Sequence, residues 1–162
     1  MTAKEKEVWN ILEKVTDPEV PVLTILDLGI VREVNITEDS CDIKITPTYT
    51  GCPAMNVISM QIRMELMAEG FQNINIKEVL SPAWTTAWMS EEGKKKLKAY
   101  GIAPPQEGTI DKSALFSEAK PVQCPHCESN NTKMTSQFGS TACKAMYGCL
   151  DCLEPFDYFK CH

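Results

Sequence analysis

The sequence predicts a small two-layer α/β domain of the α+β kind, followed by a zinc-ribbon-like, cysteine-rich module. The first hundred residues alternate between helical and strand periodicity in the order helix, strand, strand, helix, strand, helix. Two CxxC pairs stand 21 residues apart near the C-terminus, and six of the eight cysteines lie in the last 39 residues. We therefore expect one domain over residues 1–103, and a linker with the second module over residues 104–162.

Composition excludes several functions. The net charge of -6 divides into -4 for residues 1–105 and -2 for residues 106–162, so neither part offers the basic face that nucleic acids require. The N-terminus lacks the apolar core of a secretion signal, and no apolar run is long enough to cross a membrane. We therefore expect a cytoplasmic protein, in which cysteines serve as metal ligands or reactive thiols rather than as disulfides.

The first predicted helix covers residues 4–15, because its apolar side chains recur at i, i+3, i+4 and i+7: Val8, Ile11, Leu12 and Val15. Two prolines, Pro18 and Pro21, then favour extended chain. The sequence thus predicts that an irregular segment precedes the first strand.

A hairpin is predicted from residues 30–37 and 41–46, joined by the loop 38–40. Its core-facing side chains are Ile30, Val34 and Ile36 on one strand and Cys41, Ile43 and Ile45 on the other. Cys41 is in phase with the isoleucines, so we interpret it as a core residue without chemistry. The third strand, residues 74–80, follows a whole helix and is therefore expected to run parallel to one hairpin strand.

The helix predicted from Pro53 to Glu69, ended by Gly70, carries two apolar stripes. One contains Met55, Ile58, Ile62 and Leu66, and the other contains Val57, Met60, Met64 and Met67. The second stripe either contacts the C-terminal module or a partner protein, or is covered within a core that surrounds the helix. A last helix begins after Ser90 and ends at Gly101.

Residues 46–53 join the second strand to this helix and contain the first candidate functional residue, Cys52. Pro53 suits the first helical position, which places Cys52 at the N-cap, where the helix dipole favours a thiolate. The three threonines of the stretch are expected to line an exposed strand end. The alternative is that Cys52 is a buried free cysteine that behaves as a small hydrophobic residue.

The second candidate site consists of the two CxxC pairs: Cys124, Cys127, Cys149 and Cys152. Four thiolates complete a tetrahedron around zinc, and structural zinc contributes on the order of 10 kcal/mol to folding in a segment with so few apolar side chains. Iron or an iron-sulfur cluster is the competing occupant, since four thiolates suit it as well.

Four further cysteine and histidine residues of the module are left over. Cys143 lies among small residues beside Lys144, which would favour its ionised form, and it could be a functional thiol. We interpret Cys161 and His162 as a frayed terminus without a function, and His126 as a residue that merely occupies the first zinc knuckle. Both histidines lie in this module, so a cysteine-histidine or serine-histidine hydrolase is not expected.

The first hundred or so residues resemble the metal-sulfur cluster biosynthesis family in four stretches, residues 17–22, 27–31, 46–53 and 82–85. The whole chain is similar to the family of accessory D subunits of phenylacetyl-CoA epoxidase systems, through residues 138–144 and 154–161. The family's reactive cysteine falls on Cys52. The resemblance implies a non-catalytic maturation role toward the reductase or oxygenase of such a system.

Two hypotheses follow. In the first, the protein assembles or delivers iron or an iron-sulfur cluster, with Cys52 as a transient ligand and structural zinc in the tail. The further ligands would come from Cys143, from a second copy in a homodimer, or from the client. In the second, it is a structural zinc-binding adaptor that holds oxygenase components together without carrying metal. A thiol-dependent enzyme is a third class, but the sequence offers no general base for it.

Overall fold

The computed structural model describes residues 1–105, 121–141 and 143–159. By their contacts, the residues form two compact units, Met1–Gly93 and Lys94–His162. The expected boundary, after residue 103, lies ten residues later than this division. Ile102–Ala103 group with the second unit because they form a strand in its sheet. The predicted linker continues outside the described residues.

The first unit has the predicted order of elements. These are α1 (Ala3–Leu12), β1 (Val31–Ile36), β2 (Cys41–Ile45), α2 (Ala54–Ala68), β3 (Ile74–Glu78), a 3-10 helix (Thr86–Trp88) and the start of α3 (Glu91–Ala99). The sheet order is β1-β2-β3. The strands β1 and β2 form an antiparallel hairpin and β3 runs parallel to β2, so the predicted topology and the predicted fold class are confirmed.

The core of this unit lies between the sheet and the two helices α1 and α2. The inner face of β2 contributes Cys41, Ile43 and Ile45, each at most 2% exposed, as the alternation predicted. α1 contributes Val8, Ile11 and Leu12, and α2 contributes Ala54, Met55, Ile58, Ile62 and Leu66. Cys41 is therefore a core residue, and its burial raises the pKa of its thiol.

The predicted face of β1 needs a correction. Ile30 and Val34 are buried as predicted, but Val31 is buried as well and Ile36 is only half-buried. The register with β2 shifts between Val31 and Glu33, as it does at a β-bulge. A bulge inserts one residue into the strand and reverses the side that the preceding residue faces. Strict alternation from Ile30 could not reveal it.

The second stripe of α2 also needs a correction. Val57, Met60, Met64 and Met67 are 43%, 63%, 63% and 62% exposed. The interpretation of α2 as a helix covered on both faces is therefore wrong. The stripe has the 3-4-3 spacing of a helix-helix seam, and it is a solvent-facing apolar surface in the part of the chain that the structure describes.

The turn Asp27-Leu28-Gly29 connects distant parts of the first unit. The indole Nε1 of Trp84 donates to the carbonyl of Leu28 at 2.7 Å. The Ser90 hydroxyl donates to Asp27 Oδ1 at 3.0 Å and accepts from the backbone N–H of Gly93 at 2.9 Å, which caps α3. These contacts give the turn, which carries part of the family resemblance, a structural role.

The second unit is built on a four-stranded sheet in the order β4-β7-β6-β5. Its strands are β4 (Ile102–Ala103), β5 (Thr132–Ser136), β6 (Lys144–Cys149) and β7 (Pro155–Phe159). The small core contains Ala103, Val122, Cys124, Cys149 and Phe156. Two of these five residues are predicted metal ligands, so the core and the candidate metal site are continuous.

Across the described ranges, no helix combines the length and the apolar character that a bilayer crossing requires.

Candidate functional site

The structure brings the four cysteines of the two CxxC pairs together. The ligand atoms of Cys124, Cys127, Cys149 and Cys152 all lie within 4.8 Å of one another. Across the two turns, the sulfurs of Cys124 and Cys152 are 3.8 Å apart, and those of Cys127 and Cys149 are 3.5 Å apart. In a tetrahedron of thiolates about 2.3 Å from zinc, the sulfurs stand about 3.8 Å apart, so the donor set fits a zinc ion.

Each CxxC turn is continued by a residue with left-handed backbone, Glu128 with φ 64° and Leu153 with φ 62°. This conformation bends the chain so that the following N–H returns toward the sulfur. The N–H of Ser129 donates to Cys127, and the N–H of Glu154 donates to Cys152. Such donors stabilise thiolates, which is what a metal-binding sulfur needs.

Within the cluster, the surroundings of Cys149 and Cys152 shift the pKa values of these two thiols in opposite directions. Backbone N–H groups of Cys152 and Asp151 lower the pKa of Cys149 to about 7. At Cys152 the N–H of Glu154 acts in the same direction, but burial and the neighbouring sulfurs prevail and raise the pKa to about 12. Crowded thiolates repel one another, and a bound dication removes that repulsion. The cluster has the chemistry of a metal site of the zinc-ribbon type.

The other cysteines and histidines of the module lie apart from this cluster or outside the described residues. Cys143 is 4% exposed, and its sulfur hydrogen-bonds with the Thr141 hydroxyl at 3.1 Å. His126 is exposed in the first turn and is not one of the four clustered ligands. The interpretations of Cys161 and His162 fall outside the described residues.

In the first unit, Cys52 is half-buried at the entrance to α2. Its backbone N–H donates to the carbonyl of Tyr49 at 3.3 Å, and its own carbonyl accepts from Met55 at 3.3 Å. The N–H of Ala54 and the side chain of Tyr49 hydrogen-bond to the sulfur. The helix cap is Pro53, one residue later than predicted, and it makes no side-chain capping bond.

The predicted preference of Cys52 for a thiolate is wrong. Burial raises the pKa of its thiol above the ordinary value, and the carboxylates of Glu19 and Asp17 raise it further. The hydrogen bonds from Ala54 and Tyr49 oppose this shift without reversing it. Cys52 is therefore a protonated thiol near neutral pH, placed close to two negative charges.

Two buried polar residues of the first unit were not predicted. Asp17 is 7% exposed, and its Oδ1 accepts from the N–H groups of Glu19 and Val20 at 2.7 and 3.0 Å, which fixes the turn that carries both carboxylates. Thr46 is 1% exposed rather than lining an open strand end, and no hydrogen bond to its hydroxyl occurs within the described ranges. The Asp-Pro-Glu sequence could have indicated the buried Asp17, whereas no sequence signal indicated the buried Thr46.

The fold and the two sites define a class of protein: an iron-sulfur assembly-type domain joined to a zinc ribbon. Residues 5–76 match the family described as iron-sulfur cluster assembly protein, and residues 108–160 match the PaaD zinc beta ribbon domain. The crystal structure of a domain of unknown function from Bacillus anthracis is similar to this chain, with 31% sequence identity and a TM-score of 0.56. The similar region covers 59% of this chain and 92% of the Bacillus anthracis chain.

Sequence relatives narrow the class. The chain is 47% identical over 155 residues to the putative 1,2-phenylacetyl-CoA epoxidase D subunit of Escherichia coli (strain K12), covering 96% of this chain and 92% of that protein. It therefore belongs to the family of phenylacetyl-CoA epoxidase D subunits. An "Fe-S protein maturation auxiliary factor" of Porphyromonas gingivalis is 32% identical over 95 residues, which cover 57% of this chain and 90% of the relative.

Proposed function

We propose that this chain is a non-catalytic maturation factor that assists delivery of iron or an iron-sulfur cluster to the reductase or the oxygenase of a phenylacetyl-CoA epoxidase system. The observation that carries the proposal is the Cys52 site, a half-buried thiol with a backbone donor on its sulfur and two carboxylates near it. This site lies within the part of the chain that matches the iron-sulfur cluster assembly family.

The electrostatics of Cys52 suit transient rather than permanent binding. Glu19 and Asp17 disfavour the thiolate while no cation is present, and the same negative charges attract an arriving iron ion. The approaching cation then favours loss of the thiol proton, so that binding and deprotonation occur together. An unloaded Cys52 stays protonated, and therefore resists oxidation and alkylation.

Cys52 needs ligands from elsewhere. Iron and cluster sites take about four ligands, and within the described ranges no group of three or more clustered metal-binding side chains includes Cys52. The client, a second copy of the chain in a homodimer, and Cys143 are the three sources that we propose. A Cys143→Ala variant tests the last, because its loss should then weaken iron binding by the isolated protein.

The deciding experiment replaces Cys52 by Ala and by Ser and co-expresses each variant with the epoxidase components. Iron and acid-labile sulfide are then measured in the purified reductase, and iron in the purified oxygenase. We expect the metal content of the client, the reductase or the oxygenase, to fall. Cys41→Ala is the matched control, because it removes a thiol of the same unit that is 2% exposed and lies in the core. Full metal content with either Cys52 variant would refute delivery.

We further propose zinc as the occupant of the four-cysteine cluster, held by Cys124, Cys127, Cys149 and Cys152. The sulfur spacing and the tie between the cluster and the small core support a structural ion. Elemental analysis of protein purified without air should give one zinc per chain. Stoichiometric iron with sulfide and visible absorbance would instead make this cluster a second functional site.

An adaptor function is the second candidate, and the exposed second stripe of α2 favours it. This stripe consists of Val57, Met60, Met64 and Met67. Methionine is enriched at protein-protein interfaces, and Met60 and Met64 are each 63% exposed. Under this hypothesis, Met60→Gln with Met64→Gln abolishes co-purification with the oxygenase or reductase, whereas Cys52→Ala leaves metal content unchanged. The delivery hypothesis requires metal loss with Cys52→Ala, so the two variants separate the candidates.

A further inference from the structure

The four clustered cysteines are not equally protected. Cys124 is fully buried and Cys149 is 3% exposed, whereas Cys127 is exposed. A competing chelator, an oxidant or water meets the most accessible sulfur first. The rate at which a metal leaves such a site therefore depends on how firmly the Cys127 side of the cluster is held.

Polar side chains join the two turns on that side. The Ser129 hydroxyl donates to Asp151 Oδ2, and Asn131 Nδ2 donates to Asp151 Oδ1 at 3.1 Å. The backbone N–H of Asn131 donates to Ser129 Oγ at 3.0 Å, and the N–H of Leu150 donates to the carbonyl of Asn131 at 2.8 Å. Both oxygens of one carboxylate in the second turn thus hold the loop that follows the first turn.

This loop also carries the hydrogen-bond donor of Cys127. The N–H of Ser129 donates to the Cys127 sulfur, and the carbonyl of Ser129 accepts from the N–H of Cys124 at 2.8 Å. Ser129 therefore connects the exposed ligand to Asp151 of the opposite turn. We propose that Asp151, Ser129 and Asn131 form a polar clamp that keeps Cys127 on the metal and so sets the rate of metal release. None of the three is a ligand.

The expected effect is on metal release rather than on folding. The clamp is exposed at the surface, where hydrogen bonds contribute little to the stability of the fold. Residues that orient metal ligands nevertheless affect metal affinity by about 10- to 100-fold when replaced. The clamp variants should thus lose zinc sooner while retaining the fold of the first unit.

The test uses the full-length, zinc-loaded protein mixed with an excess of the chromogenic chelator 4-(2-pyridylazo)resorcinol. Asp151→Asn and Ser129→Ala should each accelerate zinc release by about 10- to 100-fold. Their combination should add little, because the two residues share one hydrogen bond. Glu154→Gln is the matched control, since it removes a carboxylate two residues after Cys152 that makes none of the clamp bonds; its rate should stay within about twofold of the parent.

Thiol labelling gives a second readout. When iodoacetamide is present during release, peptide mapping should find Cys127 modified before Cys124 and Cys149 in the clamp variants. Equal release rates for Ser129→Ala, Asp151→Asn and Glu154→Gln would overturn the proposal, and so would simultaneous labelling of all four cysteines. If Asp151→Asn does not retain zinc through purification, Ser129→Ala decides the question, since it preserves the charge of Asp151. The outcome is independent of Cys52.

Discussion

Replacing Gly29 by alanine tests the structural role of the Asp27-Leu28-Gly29 turn. Gly29 has a φ of +72°, and a Cβ added to it would lie 2.3 Å from the carbonyl oxygen of Trp88 and 2.8 Å from Trp88 Cβ. Trp88 is not free to move away, because its N–H donates to the Thr85 carbonyl at 3.1 Å and Arg32 lies 3.6 Å over its ring. The new methyl group must therefore displace backbone.

Two costs add up at this position. A non-glycine residue in the left-handed region costs about 1–2 kcal/mol, and inserting a methyl group into close-packed surroundings costs about 1–3 kcal/mol. Gly29→Ala should therefore lower the free energy of unfolding by about 2–5 kcal/mol, a large fraction of the 5–15 kcal/mol typical of a domain. Gly51→Ala is the matched control: its φ is +79°, but no heavy atom lies within 4 Å of its added Cβ, so only the first cost applies.

Urea unfolding of the full chain measures this difference. Tryptophan fluorescence reports on the first unit alone, because all three tryptophans, Trp9, Trp84 and Trp88, lie within it. The midpoint should fall further for Gly29→Ala than for Gly51→Ala. Equal losses for the two variants would refute the reasoning, since they would mean that the contact with Trp88 relaxes without cost.

Three further predictions follow from the same unit. Thr46→Val should raise the unfolding free energy by about 1 kcal/mol, because it removes a buried hydroxyl that has no hydrogen-bond partner in the described ranges; a loss of stability in denaturant would contradict this. Ser90→Ala should cost about 1–2 kcal/mol by the same measurement, since it removes the cap on Gly93 and the bond to Asp27. Alkylation of Cys52 should be slow at pH 7 and rise with pH through its raised pKa, because the thiolate is the nucleophile. Glu19→Gln should move that profile to lower pH, and an unchanged profile would exclude the carboxylate as a cause.

Sequence periodicity was sufficient to predict the buried side chains of an element where one face of that element packs on the core. The alternation Cys41, Ile43, Ile45 predicts β2, and all three residues are buried. The two CxxC pairs likewise predict a cluster that the structure brings within 4.8 Å, because a turn with two intervening residues directs both of its sulfurs to one side. In each case a short-range rule determines where the side chains point.

The same rules failed where long-range geometry decides the outcome. The register shift after Val31 depends on how β1 pairs with β2. The exposure of the second stripe of α2 depends on which surfaces the rest of the chain covers. The clamp at Asp151 joins residues about 20 positions apart, and neither Ser129 nor Asn131 belongs to the CxxC pattern. Polar surface contacts of this kind leave no periodic signal in the sequence.

Cys52 shows why local reasoning can give the wrong sign. The start of α2 does supply a favourable N–H, from Ala54, as the sequence predicted. Burial opposes it, and so do the charges of Glu19 and Asp17, which lie more than 30 residues earlier in the chain and reach Cys52 only through the fold. Since all three opposing influences disfavour a negative sulfur, an arriving cation would relieve each of them. The property that makes Cys52 a poor free nucleophile is therefore the one that would make its deprotonation depend on metal binding.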